Sequence, residues 1–199
     1  RYPRVVILSD DIYNRLVFSN EKVAPHLLHV APDLQPRLLA VNGASKSFSM
    51  TGWRIGWAAC PPSVAKVLGD YFSQSTSNVC SITQKAALKA LENPDPEIQK
   101  VRSLLRSRFE KFQSGLASIK GLKPLPADGA FYVWIDCQEW MGKTHRASGR
   151  KITGSAVLAD LLLDQEAVAT VPGIEFGAEG YLRLSFATSE AQLEKARQR

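Results

Sequence analysis

Three short apolar runs in the first 60 positions have the length and composition of β-strands. They are residues 4–8, 38–41 and 55–60. The first leads into polar positions 9–11 and the second into Asn42-Gly43. Continuous apolar runs of this length are typical of parallel strands that are buried on both faces. The pattern therefore predicts an α/β sheet with polar residues at the carboxyl ends of its strands.

A helical repeat dominates the middle of the chain. Apolar residues recur every three or four positions, as on one face of an α-helix, at Ile98, Val101, Leu105, Phe109, Phe112, Leu116 and Ile119. Asp95-Pro96-Glu97 is a start signal, because it combines a capping Asp, a proline at the first helical position and an acid in the first turn. Gly121 predicts that the helix has ended before it. Shorter helices are predicted over residues 63–72, 81–91 and 152–166.

Beyond Gly121 the pattern changes to short strands. The predicted strands cover residues 131–135, 167–171 and 181–187, and a last helix begins near residue 188. The stretch Asn93-Pro94-Asp95-Pro96 has the composition of a hinge, because proline and asparagine favour turns. We therefore expect two domains, residues 1–94 and residues 95–199, with the long helix at the start of the second.

The composition indicates a globular protein. Apolar residues make up 45% of the 199 positions, which is enough to form a buried core. No apolar run approaches the ~20 residues that a membrane span needs. The three cysteines are widely separated and odd in number, which favours reduced thiols and a cytoplasmic location.

The charged and histidine-containing segments do not predict a nucleic-acid or metal site. Part of the net charge of +6 lies in a predicted polar loop, at Lys143, Arg146, Arg150 and Lys151. The basic residues do not alternate with aromatic residues, and no DNA-reading motif occurs. His26-x-x-His29 has a spacing that could bind a metal, but the neighbouring prolines predict a loop and no third ligand stands near. We expect a protein that binds neither nucleic acid nor metal.

The segment from Ser45 to Gly56 carries the most specific candidate chemistry. Lys46 follows the second predicted strand, and lysine is the side chain that forms covalent links with aldehydes. Arg54 can bind a phosphate with two parallel hydrogen bonds, and Ser45 can add a hydroxyl group. Pyridoxal 5′-phosphate (PLP) carries both an aldehyde and a phosphate, so the segment predicts a PLP site. For Lys46 alone, an exposed turn lysine is the alternative interpretation.

Asp10-Asp11-Ile12-Tyr13 adds to this prediction. A carboxylate that faces a pyridine nitrogen keeps the nitrogen protonated, which allows the ring to withdraw electrons from a substrate. Tyr13 can form a hydrogen bond with the ring hydroxyl group. Asp10 and Lys46 both follow predicted strands, and ligands of α/β sheets bind at the carboxyl ends of strands.

Residues 9–13 and 42–56 together resemble the class I/II aminotransferases of PLP fold type I, in particular the bacterial aspartate aminotransferase branch. Further matching segments follow in the same order, at residues 75–78, 128–132, 171–177 and 181–189. The resemblance implies an α/β fold in which this chain supplies the last strands of the large-domain sheet and the α/β small domain. It therefore implies a carboxyl-terminal fragment of an aminotransferase.

The resemblance also implies roles for the candidate cofactor-binding residues. Lys46 would bind PLP covalently and transfer a proton between substrate and cofactor. Asp10 would face the pyridinium nitrogen, and Tyr13 would contact the phenolic oxygen of PLP. Arg54 would bind the phosphate together with Ser45.

The substrate and the assembly are likewise implied by the resemblance. Arg183 would receive the substrate α-carboxylate as a forked ion pair, although a strand arginine that faces water is the alternative. The implied reaction transfers an amino group between an amino acid, aspartate or similar, and a 2-oxo acid such as 2-oxoglutarate. The implied full-length protein is a homodimer with residues 75–78 near the interface. A carbon–sulfur lyase of the same fold and the aminotransferase-like domain of a transcription regulator are the competing interpretations.

The sequence also differs from the family pattern. Gly43 stands where some relatives have a phosphate-binding serine, and residues 73–78 contain no arginine for a second substrate carboxylate. A glycine-containing phosphate loop, an aromatic residue that stacks on the cofactor and a cofactor-binding asparagine are expected before residue 1. We therefore expect the isolated fragment to bind PLP poorly and to be inactive.

Overall fold

The structure, a computed structural model, describes residues 2–199 and shows two compact units. The N-terminal unit extends to Arg102, and the C-terminal unit covers Ser103–Arg199. The division falls inside the long helix, about two turns after the predicted hinge. Within residues 2–199, no helix combines the length and the hydropathy that a membrane crossing requires.

The N-terminal unit contains a three-stranded sheet and several helices. Its elements in chain order are strand β1 (Ile7–Asp10), helix α1 (Leu27–Val30), strands β2 (Leu38–Gly43) and β3 (Gly56–Ala59), helices α2 (Pro62–Gln74) and α3 (Ser81–Glu92), and the first two turns of helix α4 (Asp95–Ala117). Strand β2 lies in the centre of the sheet, with β1 parallel to it on one side and β3 antiparallel to it on the other. The mixed α/β architecture agrees with the predicted fold class.

The first and third strands differ from their predictions. Strand β1 begins at Ile7 rather than at residue 4, and Val5 and Val6 are 53% and 72% exposed. Strand β3 is antiparallel and its residues are exposed, so the prediction of a third buried parallel strand is wrong. Ser49 and Arg54 have positive φ angles and help to turn the chain back between β2 and β3, where a parallel pair would need a crossover connection.

The two histidines that resembled a metal site form a helix cap instead. His26 Nδ1 accepts the backbone N–H of Leu28 at 3.1 Å, and His29 Nδ1 accepts the backbone N–H of His26 at 3.3 Å. This reciprocal pair stabilises the first turn of α1, as in a capping box. The predicted loop at this position is therefore wrong, because the flanking prolines leave room for one short capped helix.

The C-terminal unit is built on a four-stranded antiparallel sheet with strand order β4-β5-β7-β6. Its elements are the rest of α4, strands β4 (Lys123–Pro124) and β5 (Tyr132–Asp136), helix α5 (Ser155–Glu166), strands β6 (Val171–Pro172) and β7 (Tyr181–Ser185), and helix α6 (Glu190–Gln198). Only the end of the predicted strand at 167–171 is present, because α5 ends at Ala167 in a left-handed cap with φ 52°.

The predicted apolar face of α4 forms much of the core of the C-terminal unit. The buried members of this face beyond Arg102 are Leu105, Phe109, Phe112 and Leu116. Val133 and Ile135 alternate with half-buried residues along β5, as expected for a strand with one buried face. The ring of Phe109 lies 5.6 Å from the ring of Phe186, which is fully buried. The periodicity of the sequence therefore located this core correctly.

Candidate functional site

The carboxyl ends of β1 and β2 meet at one edge of the N-terminal sheet. Because the two strands are parallel and Asp10 pairs with Val41, the polypeptide leaves the sheet at this edge after each strand. The backbone N–H of Asp11 continues the pairing by donating to the carbonyl oxygen of Val41 at 2.9 Å. Lys46 stands three positions after the end of β2. The strand pairing thus places both residues at neighbouring strand ends. Asp10 is the last residue of β1 rather than past it, whereas Lys46 follows β2.

Lys46 lies against Tyr13 at this edge. The Lys46 Nζ atom is 5.9 Å from the centroid of the Tyr13 ring, within the range of a cation–π contact. Tyr13 belongs to a tight turn in which the N–H of Asn14 donates to Asp11 O at 2.9 Å and the N–H of Leu16 donates to Tyr13 O at 2.8 Å. The side chain of Leu16 is 1% exposed and anchors this turn in the unit.

The two adjacent carboxylates of this turn have different environments. Asp11 accepts a hydrogen bond from Ser9 Oγ at 3.0 Å, and its other oxygen lies 3.1 Å from His26 Nε2. His26 Nδ1 already accepts the N–H of Leu28, so the proton of the neutral ring is on Nε2 and points to Asp11. Asp10 is exposed and accepts only the N–H of Ile12, at 3.2 Å. Within residues 2–199, no cationic side chain pairs with Asp10.

Glycine at position 43 is required by the close approach of β2 and β3. Gly43 pairs with Gly56. A Cβ atom at position 43 would lie 2.9 Å from Ile55 O and 3.2 Å from Gly56 Cα, and one at position 56 would lie 2.9 Å from Asn42 O. A serine cannot be placed at position 43 without moving backbone atoms. The missing phosphate-binding serine is therefore a consequence of how these two strands pair.

The segment between β2 and β3 presents Lys46 and Arg54 from a compact turn. Ala44 and Ser47 are buried on its inner side, and Ser45 and Lys46 are half-buried. Arg54 has a left-handed backbone (φ 53°, ψ 54°) and an exposed side chain. Its Nη1 donates to Thr51 O at 2.8 Å, which fixes one branch of the guanidinium group. A guanidinium group has further N–H donors, which a phosphate could accept.

Arg183 lies in the C-terminal unit between two aromatic rings. It is in β7, opposite Trp134 of β5 and Val171 of β6. Its guanidinium carbon is 4.3 Å from the Tyr132 ring centroid and 4.5 Å from the Phe176 ring centroid. No carboxylate among residues 2–199 is within ion-pair distance of it. A half-buried guanidinium held between rings, with its N–H groups not engaged by an acid, has the properties of a carboxylate receptor.

Tyr132 and Phe176 were not identified from the sequence as residues of the site. Both lie in segments that matched the aminotransferase pattern, but their contact with Arg183 depends on strand pairing and on the turn at Gly173–Phe176. The alternating pattern of β5 could have suggested that Tyr132 and Trp134 share a face, since residues two apart in a strand do so.

The residues at the edge of the N-terminal sheet fit PLP chemically. They include an amine for the aldehyde (Lys46), a carboxylate without a cationic partner for the ring nitrogen (Asp10), a phenol next to the amine (Tyr13) and a guanidinium for the phosphate (Arg54). Asp11 fits this role less well than Asp10, because each of its oxygens already has a partner, Ser9 or His26.

Comparison with known proteins gives a consistent result. Residues 1–199 match the model of the family described as aminotransferase class I and II. The aspartate/prephenate aminotransferase of Cereibacter sphaeroides is 42% identical over 197 residues, which are 98% of this chain and 48% of that protein. The aspartate aminotransferase of Rhizobium meliloti is 38% identical over 200 residues, covering 100% of this chain and 48% of that protein.

A solved structure is similar over the same extent. The crystal structure of the aspartate aminotransferase from Rhizobium meliloti superposes with a TM-score of 0.92 at 36% identity, covering 100% of this chain and 49% of that one. The chain therefore spans about half the length of the relatives it matches.

Proposed function

This chain belongs to the aminotransferase class I and II family, and we propose that it forms the carboxyl-terminal half of a PLP-dependent aminotransferase. PLP is the cofactor of this family. Residues 1–94 would belong to the large domain and supply the cofactor-binding residues. Residues 95–199 would form the small domain and supply Arg183.

The N-terminal unit would provide the residues that act at the cofactor. PLP supplies an aldehyde that takes up the amino group and a ring that withdraws electrons from the substrate Cα. The Nζ atom of Lys46 removes and returns the proton at the substrate Cα, acting as general base and general acid. The carboxylate of Asp10 holds a proton on the ring nitrogen. The phenol of Tyr13, which lies against Lys46, donates a hydrogen bond to the ring oxygen.

The arginine residues would bind the two anionic groups. Arg54 and Ser45 bind the phosphate, with Arg54 offering the N–H groups that are not bonded to Thr51. Arg183 binds the α-carboxylate of the substrate with two parallel hydrogen bonds. Since the guanidinium group already lies against the rings of Tyr132 and Phe176, little side-chain entropy would be lost when a carboxylate binds.

The names of the relatives suggest the substrates. We propose an amino donor such as aspartate and a 2-oxo acid acceptor such as 2-oxoglutarate, with prephenate as a further acceptor, because a 42% identical relative is an aspartate/prephenate aminotransferase. A homodimer is proposed because it is typical of the family. A cytoplasmic location is proposed from the three unpaired cysteines, Cys60, Cys80 and Cys137.

The observation that best supports this function is the position of Asp10 and Lys46 at the carboxyl ends of neighbouring parallel strands, with Tyr13 against the lysine. The test uses the full-length protein with PLP, aspartate and 2-oxoglutarate, and measures glutamate formation. We expect activity that requires the acceptor and that is lost in Lys46→Ala but kept in Lys66→Ala, an exposed lysine on α2. In a parallel assay with a thioether amino acid in place of aspartate, formation of a 2-oxo acid and a thiol without any acceptor would instead identify the carbon–sulfur lyase.

A further inference from the structure

One side chain of α4 holds the irregular segment that follows Tyr13. Arg102 Nε donates to the carbonyl oxygen of Val17 at 2.7 Å. Its Nη2 donates to the carbonyl oxygens of Ser19 at 2.6 Å and Glu21 at 2.8 Å. A single guanidinium group thus binds three backbone acceptors of a segment that lies more than 80 positions away in the sequence.

The arrangement follows from the geometry of both partners. The backbone of this segment bends at residues 18–20, and its carbonyl groups at positions 17, 19 and 21 all accept from the same guanidinium group. The guanidinium group presents its donors in a planar fork, so that one side chain can serve several acceptors. Arg102 is half-buried. Its hydrogen bond to Val17 is partly buried, which strengthens it, whereas those to Ser19 and Glu21 are exposed.

A second residue of the same helix contacts the ends of this segment. Asp95 lies two turns before Arg102 on the same face of α4, with the buried Ile98 between them. Its carboxylate lies 2.6 Å from Lys22 Nζ and 3.8 Å from Arg15 Nη1. The side chains of Lys22 and Asp95 are 77% and 50% exposed, so these ion pairs contribute little. Arg102 is therefore the principal contact.

The held segment is directly connected to the candidate site. The N–H of Ala24 donates to Asn14 O at 2.7 Å, which closes the segment into a loop, and the N–H of Leu16 donates to Tyr13 O. We propose that Arg102 is a positioning residue that fixes this loop and, through it, the Tyr13 ring against Lys46. This inference rests on the proposed function, in which Tyr13 contacts PLP, and it adds a residue of α4 that touches neither cofactor nor substrate.

The test compares three variants of the full-length protein. Arg102→Ala removes all three hydrogen bonds, Arg102→Lys keeps the charge without the fork, and Lys100→Ala removes an exposed cation of the same helix that pairs with Glu97. Amide hydrogen exchange of peptides covering residues 13–24 reports on the loop, and titration with PLP reports on the site. In Arg102→Ala we expect exchange to rise and PLP affinity to fall, each about tenfold. Arg102→Lys should be intermediate and Lys100→Ala unchanged.

The outcomes separate this inference from the proposed function. Unchanged exchange in Arg102→Ala, or faster exchange with unchanged PLP affinity, would overturn the positioning role. If Arg102→Ala does not fold, the same two measurements are made on Arg102→Lys. Exchange and PLP affinity equal to those of the wild-type protein would then overturn the positioning role. If the proposed function is wrong, the PLP titration will show that the wild-type protein does not bind PLP. The hydrogen-exchange measurement would still report whether Arg102 holds the loop.

Discussion

Replacing Gly43 by alanine tests the close pairing of β2 and β3 that positions Lys46. The new Cβ atom would be 2.9 Å from Ile55 O, a backbone atom that cannot move without shifting the sheet. Such overpacking costs about 1–3 kcal/mol. Replacing glycine also stabilises by about 0.4–1 kcal/mol, because it restricts the unfolded chain. Gly52 has nothing within 4 Å of the position that a Cβ atom would take. Gly52→Ala should therefore show only the stabilisation that comes from restricting the unfolded chain.

The difference between the two variants isolates the steric cost, because the effect on the unfolded chain cancels. A loss of 1 kcal/mol lowers the thermal midpoint of a protein of 150–250 residues by about 2–4 °C. In this chain we expect Gly43→Ala to unfold at least ~2 °C below Gly52→Ala, measured by circular dichroism. Gly43→Ser should behave like Gly43→Ala. Equal midpoints for the two alanine variants would refute the argument that backbone contact excludes a serine here.

Three further predictions concern other parts of the chain. Glu179 accepts the N–H groups of Ser155 and Gly180, which hold the pKa of its carboxyl below the usual value. The loss of stability in Glu179→Gln should therefore be largest above about pH 5 and should shrink as the pH of a series of urea titrations is lowered below the usual carboxyl pKa. A loss that does not change with pH would contradict this. Backbone N–H groups of Thr83 and Ile82 lower the pKa of the exposed Cys80 thiol. The pKa of Cys137 is raised to about 12, mainly by burial and secondarily by the charge of Asp136. Iodoacetamide at pH 7 should therefore modify Cys80 before Cys137, and labelling of Cys137 in the folded protein would contradict the structure. The N-terminal unit exposes large apolar side chains such as Leu8 and Ile82, at 63% and 70%, so the isolated chain should bind a hydrophobic dye. We also expect the isolated chain to bind PLP poorly and to be inactive, and a stable PLP adduct with activity would contradict this expectation.

The sequence predicted those parts of the fold that depend on local periodicity. The apolar face of α4 was identified because its residues recur every three or four positions, and the sheet strands were identified because their apolar runs end in polar residues. The direction of β3 was not predictable in this way. It depends on the turn at Ser49 and Arg54, where non-glycine residues adopt positive φ angles.

The candidate site shows the same division between local and distant information. Lys46 and Arg54 lie in one short segment, so their spacing is visible in the sequence. The family resemblance assigned Asp10 rather than Asp11 to the ring nitrogen, but the physical difference between the two carboxylates is not visible in the sequence. It depends on His26, 15 positions from Asp11, whose tautomer is set by the cap of α1. The rings that hold Arg183 come from different elements, and no spacing in the sequence indicates that they meet.

The central claim, that Lys46 is the residue that binds PLP, can be tested by covalent trapping. The full-length protein is incubated with PLP, reduced with borohydride, digested, and analysed by mass spectrometry for the modified peptide. We expect one dominant modified lysine, Lys46, with no stable modification of Lys66 or Lys85 and none in the Lys46→Ala variant. Modification spread evenly over surface lysines, or a wild-type level of modification in Lys46→Ala, would contradict the account.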